Sequence, residues 1–167
     1  LTDPAHPVDA TPEWLTLLVA DWRQRNPVSE YGWWPSLSAK LGTYQNKPVL
    51  LLADQGRLKI FDLSTGAILR DLEVPAGWTI SPFLTDESGT RLAAVITAPG
   101  QFSGPNPERI VIWDLTTGEL IMERDTTFVP TGWLYMRGQS IASLEFTADG
   151  RRLLAAGRKG VQVFVLP

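Results

Sequence analysis

Apolar residues recur at helical spacing near the start of the chain. Pro12 suits the first position of a helix, and Asn26-Pro27 ends the helical pattern. We therefore predict a helix at 12–25 within an N-terminal extension, 1–31. The stretch 14–20 is also rich in strand-forming residues, so a closing edge strand is the alternative. The apolar positions of the predicted helix are Trp14, Leu15, Leu18 and Trp22.

From residue 32 onward, short apolar runs alternate with turns that contain Gly, Pro, Asn or Asp, which indicates an all-β region. One stretch of this region is written twice. Residues 58–66 read Leu-Lys-Ile-Phe-Asp-Leu-Ser-Thr-Gly, and residues 110–118 read Ile-Val-Ile-Trp-Asp-Leu-Thr-Thr-Gly. Asp62 and Asp114 lie 52 positions apart, and a repeat of this length predicts an array of small sheets.

The repeat divides the all-β region (32–167) into three units, at about 33–74, 77–125 and 132–166. A Gly-Trp pair comes shortly before the first strand of each unit. The first two units contain four predicted strands each, whereas the third stops after its third strand. The predicted strands are 36–41, 49–53, 58–63, 67–74, 79–84, 91–97, 109–115, 119–124, 141–146, 152–156 and 161–166.

The order of strands and turns in these units resembles the blades of WD40-type β-propellers. The motif residues are Phe61-Asp62-Leu63, Trp113-Asp114-Leu115 with Thr117-Gly118, and residues 146–153 with Asp149-Gly150. The resemblance implies an all-β fold, a partial β-propeller of about three four-stranded blades with a short N-terminal helix or extension. It also implies structural roles in the repeat for Asp62, Gly66, Trp113, Asp114, Gly118, Asp149 and Gly150.

The single histidine marks a departure from that family. WD40-type blades often carry a Gly-His pair whose histidine joins a hydrogen-bond network, and His6 lies outside the three units. The network is therefore absent, and a related quinoprotein-like propeller stays open as an alternative.

Composition argues against catalysis and against nucleic-acid binding. The 167 residues include no cysteine, so thiolate chemistry is excluded, and a net charge of −3 argues against a concentrated basic surface. One histidine supports neither a catalytic triad nor a histidine-based metal site. No apolar run approaches the length of a membrane span. The sequence predicts a chain without enzymatic activity, metal or cofactor, and the lack of cysteine fits either redox compartment.

Two features are candidates for binding. If the units are equivalent, Trp33, Trp78 and Trp133 ring one face of the propeller, with Trp34 beside the first. The alternative is that these indoles pack between neighbouring blades. The other feature is the insertion at 98–108, whose Phe102 would be exposed near the tip; this loop serves either as a contact or as a tolerated surface insertion.

An arc of three blades leaves sheet edges unpaired, which is an aggregation liability. We therefore predict completion by a second copy, by a partner chain or by the segment 14–20; the alternative is that the chain is a piece of a longer protein. The favoured function is a protein–protein interaction module or scaffold subunit. The alternative is a propeller that binds a small molecule or carbohydrate, or the propeller portion of a hydrolase, through the tryptophan face. The turn-rich repeat suggests a bacterial protein.

Overall fold

A computed structural model describes the part of the chain that carries the repeat and the predicted helix. The described residues are 12–25, 38–54, 56–99, 107–126, 141–157 and 160–167. The chain separates into two units, Leu1–Pro35 and Ser36–Pro167.

Helix α1 spans Glu13–Arg25 in the first unit. It starts directly after Pro12, whose carbonyl oxygen accepts hydrogen bonds from the backbone N–H groups of Leu15 (3.0 Å) and Thr16 (3.3 Å). The prediction of a helix is confirmed, and the alternative of a strand at 14–20 is wrong. Helical spacing of the apolar residues and a proline at the helix start outweigh the strand composition of this stretch.

The second unit contains three antiparallel sheets in chain order, and each sheet is a meander in which consecutive strands pair. We call them blades 1, 2 and 3. Blade 1 contains β1 (Ser38–Tyr44), β2 (Lys47–Asp54), β3 (Arg57–Asp62) and β4 (Ile68–Glu73). Blade 2 contains β5 (Thr79–Thr85), β6 (Arg91–Thr97), β7 (Glu108–Asp114) and β8 (Leu120–Asp125). The described part of blade 3 contains β9 (Ile141–Phe146), β10 (Arg152–Gly157) and β11 (Gly160–Val165).

The predicted strands are confirmed with small differences at their ends. β1 runs to Tyr44 because Gln45 and Asn46 both adopt positive φ (48° and 61°) and form a two-residue hairpin turn. Glu108, assigned from the sequence to the inserted loop, belongs instead to β7. It pairs with Thr97 of β6, and both side chains are buried.

The two copies of the repeated stretch form the same turn. Oδ1 of Asp62 accepts hydrogen bonds from the N–H groups of Ser64 (2.9 Å) and Thr65 (3.0 Å). Oδ1 of Asp114 accepts the corresponding bonds from Thr116 (2.7 Å) and Thr117 (3.1 Å). The turns close at Gly66 (φ 73°) and Gly118 (φ 83°), where positive φ favours glycine.

These hydrogen bonds stabilise the ionised carboxylates. The Ser64 hydroxyl and the two backbone N–H groups lower the pKa of Asp62 to about 2. The backbone N–H groups of Thr117 and Thr116 lower the pKa of Asp114. In blade 3, the Thr147 hydroxyl, 2.6 Å from Asp149, lowers the pKa of that aspartate, and Gly150 follows it with φ 65°.

Neighbouring blades pack face to face through two hydrophobic clusters. We call the face of a blade that packs on the next blade in the chain its leading face, and the opposite face its trailing face. The first cluster joins the leading face of blade 1, including Leu58 and Ile60, to the trailing face of blade 2, including Leu92 and Trp113. The second cluster joins Ala93, Val95, Ile110, Ile112 and Met122 of blade 2 to Ile141, Leu144, Leu153, Ala155, Phe164 and Leu166 of blade 3.

Candidate interaction surface

Arginine side chains bind backbone carbonyl groups across the blade interfaces. Arg70 of β4 donates from Nε to the carbonyl oxygen of Leu115 (2.9 Å) and from a terminal nitrogen to that of Thr116 (2.9 Å). Arg91 of β6 donates in the same way to the carbonyl oxygen of Gly150 in blade 3 (2.9 Å). Each blade is therefore held to the next by hydrogen bonds at the edge of a buried apolar cluster.

The turn between β5 and β6 makes a close backbone contact with blade 1. Gly89 has a φ of 68°, and a Cβ added to it would lie 2.6 Å from the Cα of Tyr44 and 2.7 Å from the carbonyl oxygen of Thr43. Thr43 also donates its N–H to Oγ1 of Thr85 in blade 2 (3.0 Å). Only glycine fits this approach without displacing backbone.

The leading face of blade 3 differs from those of blades 1 and 2. Strand pairing aligns Phe164 of β11 with Phe61 of β3 and Trp113 of β7, because each lies opposite a leucine of its second strand. Val161 and Val163 therefore occupy the positions that Leu58 and Ile60 hold in blade 1, and Ile110 and Ile112 hold in blade 2. All four of those counterparts are wholly buried, whereas Val161 is 63% exposed and Val163 is 52% exposed.

β10, the strand next to β11 in blade 3, is also less buried on the leading face than on the trailing face. Ala155 is wholly buried on the trailing face, whereas Ala156, one position on, is only partly buried. In blade 2 the residues at the corresponding positions, Ala94 and Val95, are both wholly buried. β10 is therefore buried on its trailing face and partly exposed on its leading face.

A cluster of one arginine and two carboxylates is repeated at the same 52-residue spacing. Arg57 pairs with Asp71 (2.8 Å) and Glu73 (2.9 Å). Arg109 pairs with Glu123 (2.7 Å) and Asp125 (3.0 Å). The sequence analysis missed these clusters, although aligning the two copies beyond the motif would have found them. All of these side chains are partly exposed, so each ion pair contributes little to stability.

Trp78 is the one member of the predicted tryptophan set within the described residues. It lies just before β5, is partly buried, and packs against the cluster between blades 1 and 2. The guanidinium carbon of Arg109 lies 5.2 Å from the centroid of its ring, a cation–π contact. Trp33, Trp34, Trp133 and Phe102 lie outside the described residues, so the tryptophan ring and the contact role of Phe102 stay predictions.

The described residues contain no group of three or more His, Cys, Asp or Glu side chains placed to hold a metal ion. Within the same part of the chain, no helix has the length and apolar character needed to cross a membrane. The feature that stands out among the described residues is the exposure of Val161 and Val163 on the leading face of blade 3.

No protein-family model matches this sequence, and no curated protein matches it. Among solved structures, the chain is similar to the structure of the Dos1 propeller, with 13% identity and a TM-score of 0.55, over 81% of this chain and 32% of that chain. It also matches a eukaryotic initiation factor (19% identity, TM-score 0.43, 82% of this chain and 33% of that one). A third match is the Myceliophteria thermophila Cps50 (Swd1) β-propeller domain (16% identity, TM-score 0.33, 77% and 54%).

The similarity to the Dos1 propeller and the radial meander sheets define the class of this protein: it has a β-propeller fold. The chain spans about a third of the length of the first two structures and about half of the third. The described residues form a partial propeller of three consecutive blades preceded by a short helix. The expected fold is confirmed.

Proposed function

We propose that this chain is a non-enzymatic protein–protein interaction module, a scaffold subunit that docks other polypeptides onto its propeller blades. One observation carries the proposal: Val161 and Val163 are more than half exposed at positions that are wholly buried in blades 1 and 2. Fully burying a valine contributes roughly 1.5–3 kcal/mol, so covering both favours association. The leading face of blade 3 is the proposed docking surface.

The chemistry of this surface indicates its partner. In blade 2 the corresponding positions contact an apolar sheet face that includes Leu153, Ala155 and Phe164. A partner that covers Val161 and Val163 in the same way is apolar and presents a sheet face. The alternative of a small-molecule or carbohydrate site on the tryptophan face stays a prediction, because Trp33, Trp34 and Trp133 lie outside the described residues.

Site-specific photo-crosslinking tests the proposal. A photoreactive residue at position 161 should give a protein adduct of defined mass in an extract of the source cells. The matched control is the same residue at position 68, because Ile68 is also exposed and apolar but lies on β4. The purified partner should then bind the Val161→Glu, Val163→Glu double variant at least tenfold more weakly than wild type. Equal binding of the folded double variant, or adducts from position 68 alone, would contradict the proposal.

A further inference from the structure

The turn between β9 and β10 contains the single Asp-Gly pair of the sequence, Asp149-Gly150, and the sequence has no Asn-Gly pair. Asp149 is exposed, and a Cβ added to Gly150 would meet nothing within 4 Å. In an Asp-Gly pair the backbone nitrogen of the glycine can attack the side-chain carboxyl group of the aspartate, because glycine has no Cβ to hinder the approach. The pair is therefore a chemically vulnerable point of the backbone.

The reaction needs an available backbone nitrogen and a protonated carboxyl group. The nitrogen of Gly150 bonds to Cγ of Asp149 and gives up its proton, and the carboxyl hydroxyl group leaves as water, so a five-membered imide forms. A water molecule then attacks the backbone carbonyl of Asp149 and breaks its bond to the nitrogen. The product is isoaspartate: the chain now runs through Cγ, has one additional methylene carbon and carries a free α-carboxylate. The water released in the first step balances the water consumed in the second.

The folded turn opposes both requirements through Thr147. The carbonyl oxygen of Thr147 accepts a hydrogen bond from the N–H of Gly150 (2.8 Å), which is the attacking group. The hydroxyl of Thr147 donates to Oδ1 of Asp149 (2.6 Å), and the N–H of Arg151 donates to the same oxygen (3.0 Å). The hydroxyl first, and then the N–H, lower the pKa of this carboxyl group. The carboxyl group therefore stays in the ionised form, which is the unreactive one.

Thr147 is itself held by the start of β10. Its N–H donates to the carbonyl oxygen of Arg152 (3.0 Å), and its hydroxyl oxygen accepts a hydrogen bond from the N–H of Arg152 (3.1 Å). The hydroxyl also lies 3.2 Å from the carbonyl oxygen of Arg152, but its contact with the carboxylate of Asp149 is shorter. A charged acceptor gives the stronger hydrogen bond, so the position of the hydroxyl favours the contact with Asp149.

The peptide unit beside the reactive nitrogen also joins two blades. Arg91 of blade 2 donates from a terminal nitrogen to the carbonyl oxygen of Gly150 (2.9 Å). An additional backbone atom between Asp149 and Gly150 would shift this carbonyl oxygen out of line with a guanidinium that β6 holds in place. We propose that Asp149-Gly150 is a latent site of isoaspartate formation, that Thr147 keeps it unreactive in the folded chain, and that its rearrangement releases the blade 3 turn from Arg91.

Incubation of the intact chain at neutral pH, followed by peptide mapping with electron-transfer fragmentation, tests the role of Thr147. Isoaspartate at position 149 should form at least tenfold faster in chain unfolded by guanidinium than in folded chain. Folded Thr147→Val should react several times faster than wild type, because it lacks the hydroxyl but keeps the β-branch and the carbonyl group. Thr147→Ser keeps the hydroxyl and should react at close to the wild-type rate. In water enriched in heavy oxygen, each rearranged chain should gain one labelled oxygen atom.

Urea unfolding of the aged protein tests the contact with Arg91. The isoaspartate form, separated by ion exchange, should have a lower midpoint than the unaged chain. In an Arg91→Met background the same rearrangement should lower the midpoint less, because the hydrogen bond is already absent.

Three results would overturn the inference: equal rates in folded and unfolded wild type, a folded Thr147→Val variant that reacts no faster than wild type, or equal loss of stability with and without Arg91. The comparison of folded with unfolded wild type decides the protective role even if Thr147→Val does not fold.

Discussion

Arg70 of blade 1 donates a 2.9 Å hydrogen bond from Nε to the carbonyl oxygen of Leu115 in blade 2, 45 residues further along the chain. The position equivalent to Arg70 in blade 2 is Met122, which is buried in the second cluster. The residue at this position therefore stabilises the interface between blades 1 and 2 by a polar contact, and the interface between blades 2 and 3 by an apolar contact.

Arg70→Met should lower the free energy of unfolding by about 1–3 kcal/mol, because two carbonyl oxygens lose a charged donor. Arg124→Met is the matched control. Among the described residues Arg124 donates to the carbonyl oxygen of its neighbour Glu123, at an exposed site, so its removal should change stability by less than about 0.5 kcal/mol. Urea unfolding of both variants measures the difference in stability. Equal midpoints would contradict a stabilising role for the hydrogen bonds of Arg70 across the blade interface.

Gly89→Ala should destabilise the chain more than Gly118→Ala. Both glycines have positive φ, which costs an alanine about 1–2 kcal/mol. At Gly118 an added Cβ meets nothing within 4 Å, whereas at Gly89 it would strike the backbone of Thr43 and Tyr44. Overpacking of this kind costs a further 1–3 kcal/mol, roughly. Thermal or urea unfolding of the two variants measures how much the close backbone contact at Gly89 adds to the destabilisation. Equal losses of stability in the two variants would contradict this prediction.

The turn aspartates should make the fold sensitive to acid. The pKa of Asp62 is lower in the folded chain (about 2) than its ordinary value of 3.8, so folding favours the ionised carboxylate. Its contribution is fully present above 3.8 and is lost as the pH falls toward 2. Asp62→Asn keeps an acceptor oxygen without this titration, so its urea midpoint should fall less than that of wild type between about pH 5 and about pH 2. Glu87→Gln controls for the change in net charge. Parallel pH profiles for wild type and Asp62→Asn would disprove the expectation.

Arg109→Met should lower the urea midpoint more than Arg57→Met does, since only the first variant removes a cation–π contact among the described residues. The two arginines hold equivalent carboxylate clusters, so the ion pairs largely cancel in the comparison. A double-mutant cycle with Trp78→Leu should recover the extra loss as coupling between Arg109 and Trp78. Additive losses in the cycle would mean that the stacking contributes nothing.

Local chemistry explains what could be predicted from the sequence. The Asp62 and Asp114 turns are encoded within five residues, by an acceptor side chain, short polar residues and a glycine that adopts positive φ. The strand pattern follows from residues that are near neighbours in the chain. The helix was harder, because its strand-like composition competes with its helical spacing.

Contacts between blades could not be predicted in this way. Arg70 and Arg91 reach carbonyl groups 45 and 59 residues away, and a surface arginine has no local signature of its eventual partner. The openness of Val161 and Val163 is invisible in the sequence, because their alternation matches the buried strands of blades 1 and 2. The contacts of Trp78 with Arg109 and with the cluster between blades 1 and 2 likewise have no local signature in the sequence.

The likeness of the two outer hairpins, β3–β4 and β7–β8, reaches beyond their sequence motif. The irregularity in strand pairing falls at the same place in both, between Ile60 and Phe61 and between Ile112 and Trp113. The turn and the arginine–carboxylate cluster also coincide at the 52-residue spacing. Each hairpin therefore has the same arginine–carboxylate cluster at one end and the same aspartate turn at the other. A gene that duplicates or deletes a whole blade of about 52 residues would carry a complete hairpin of this kind with it, and the blade-to-blade contact would be left to diverge, as it has between Arg70 and Met122.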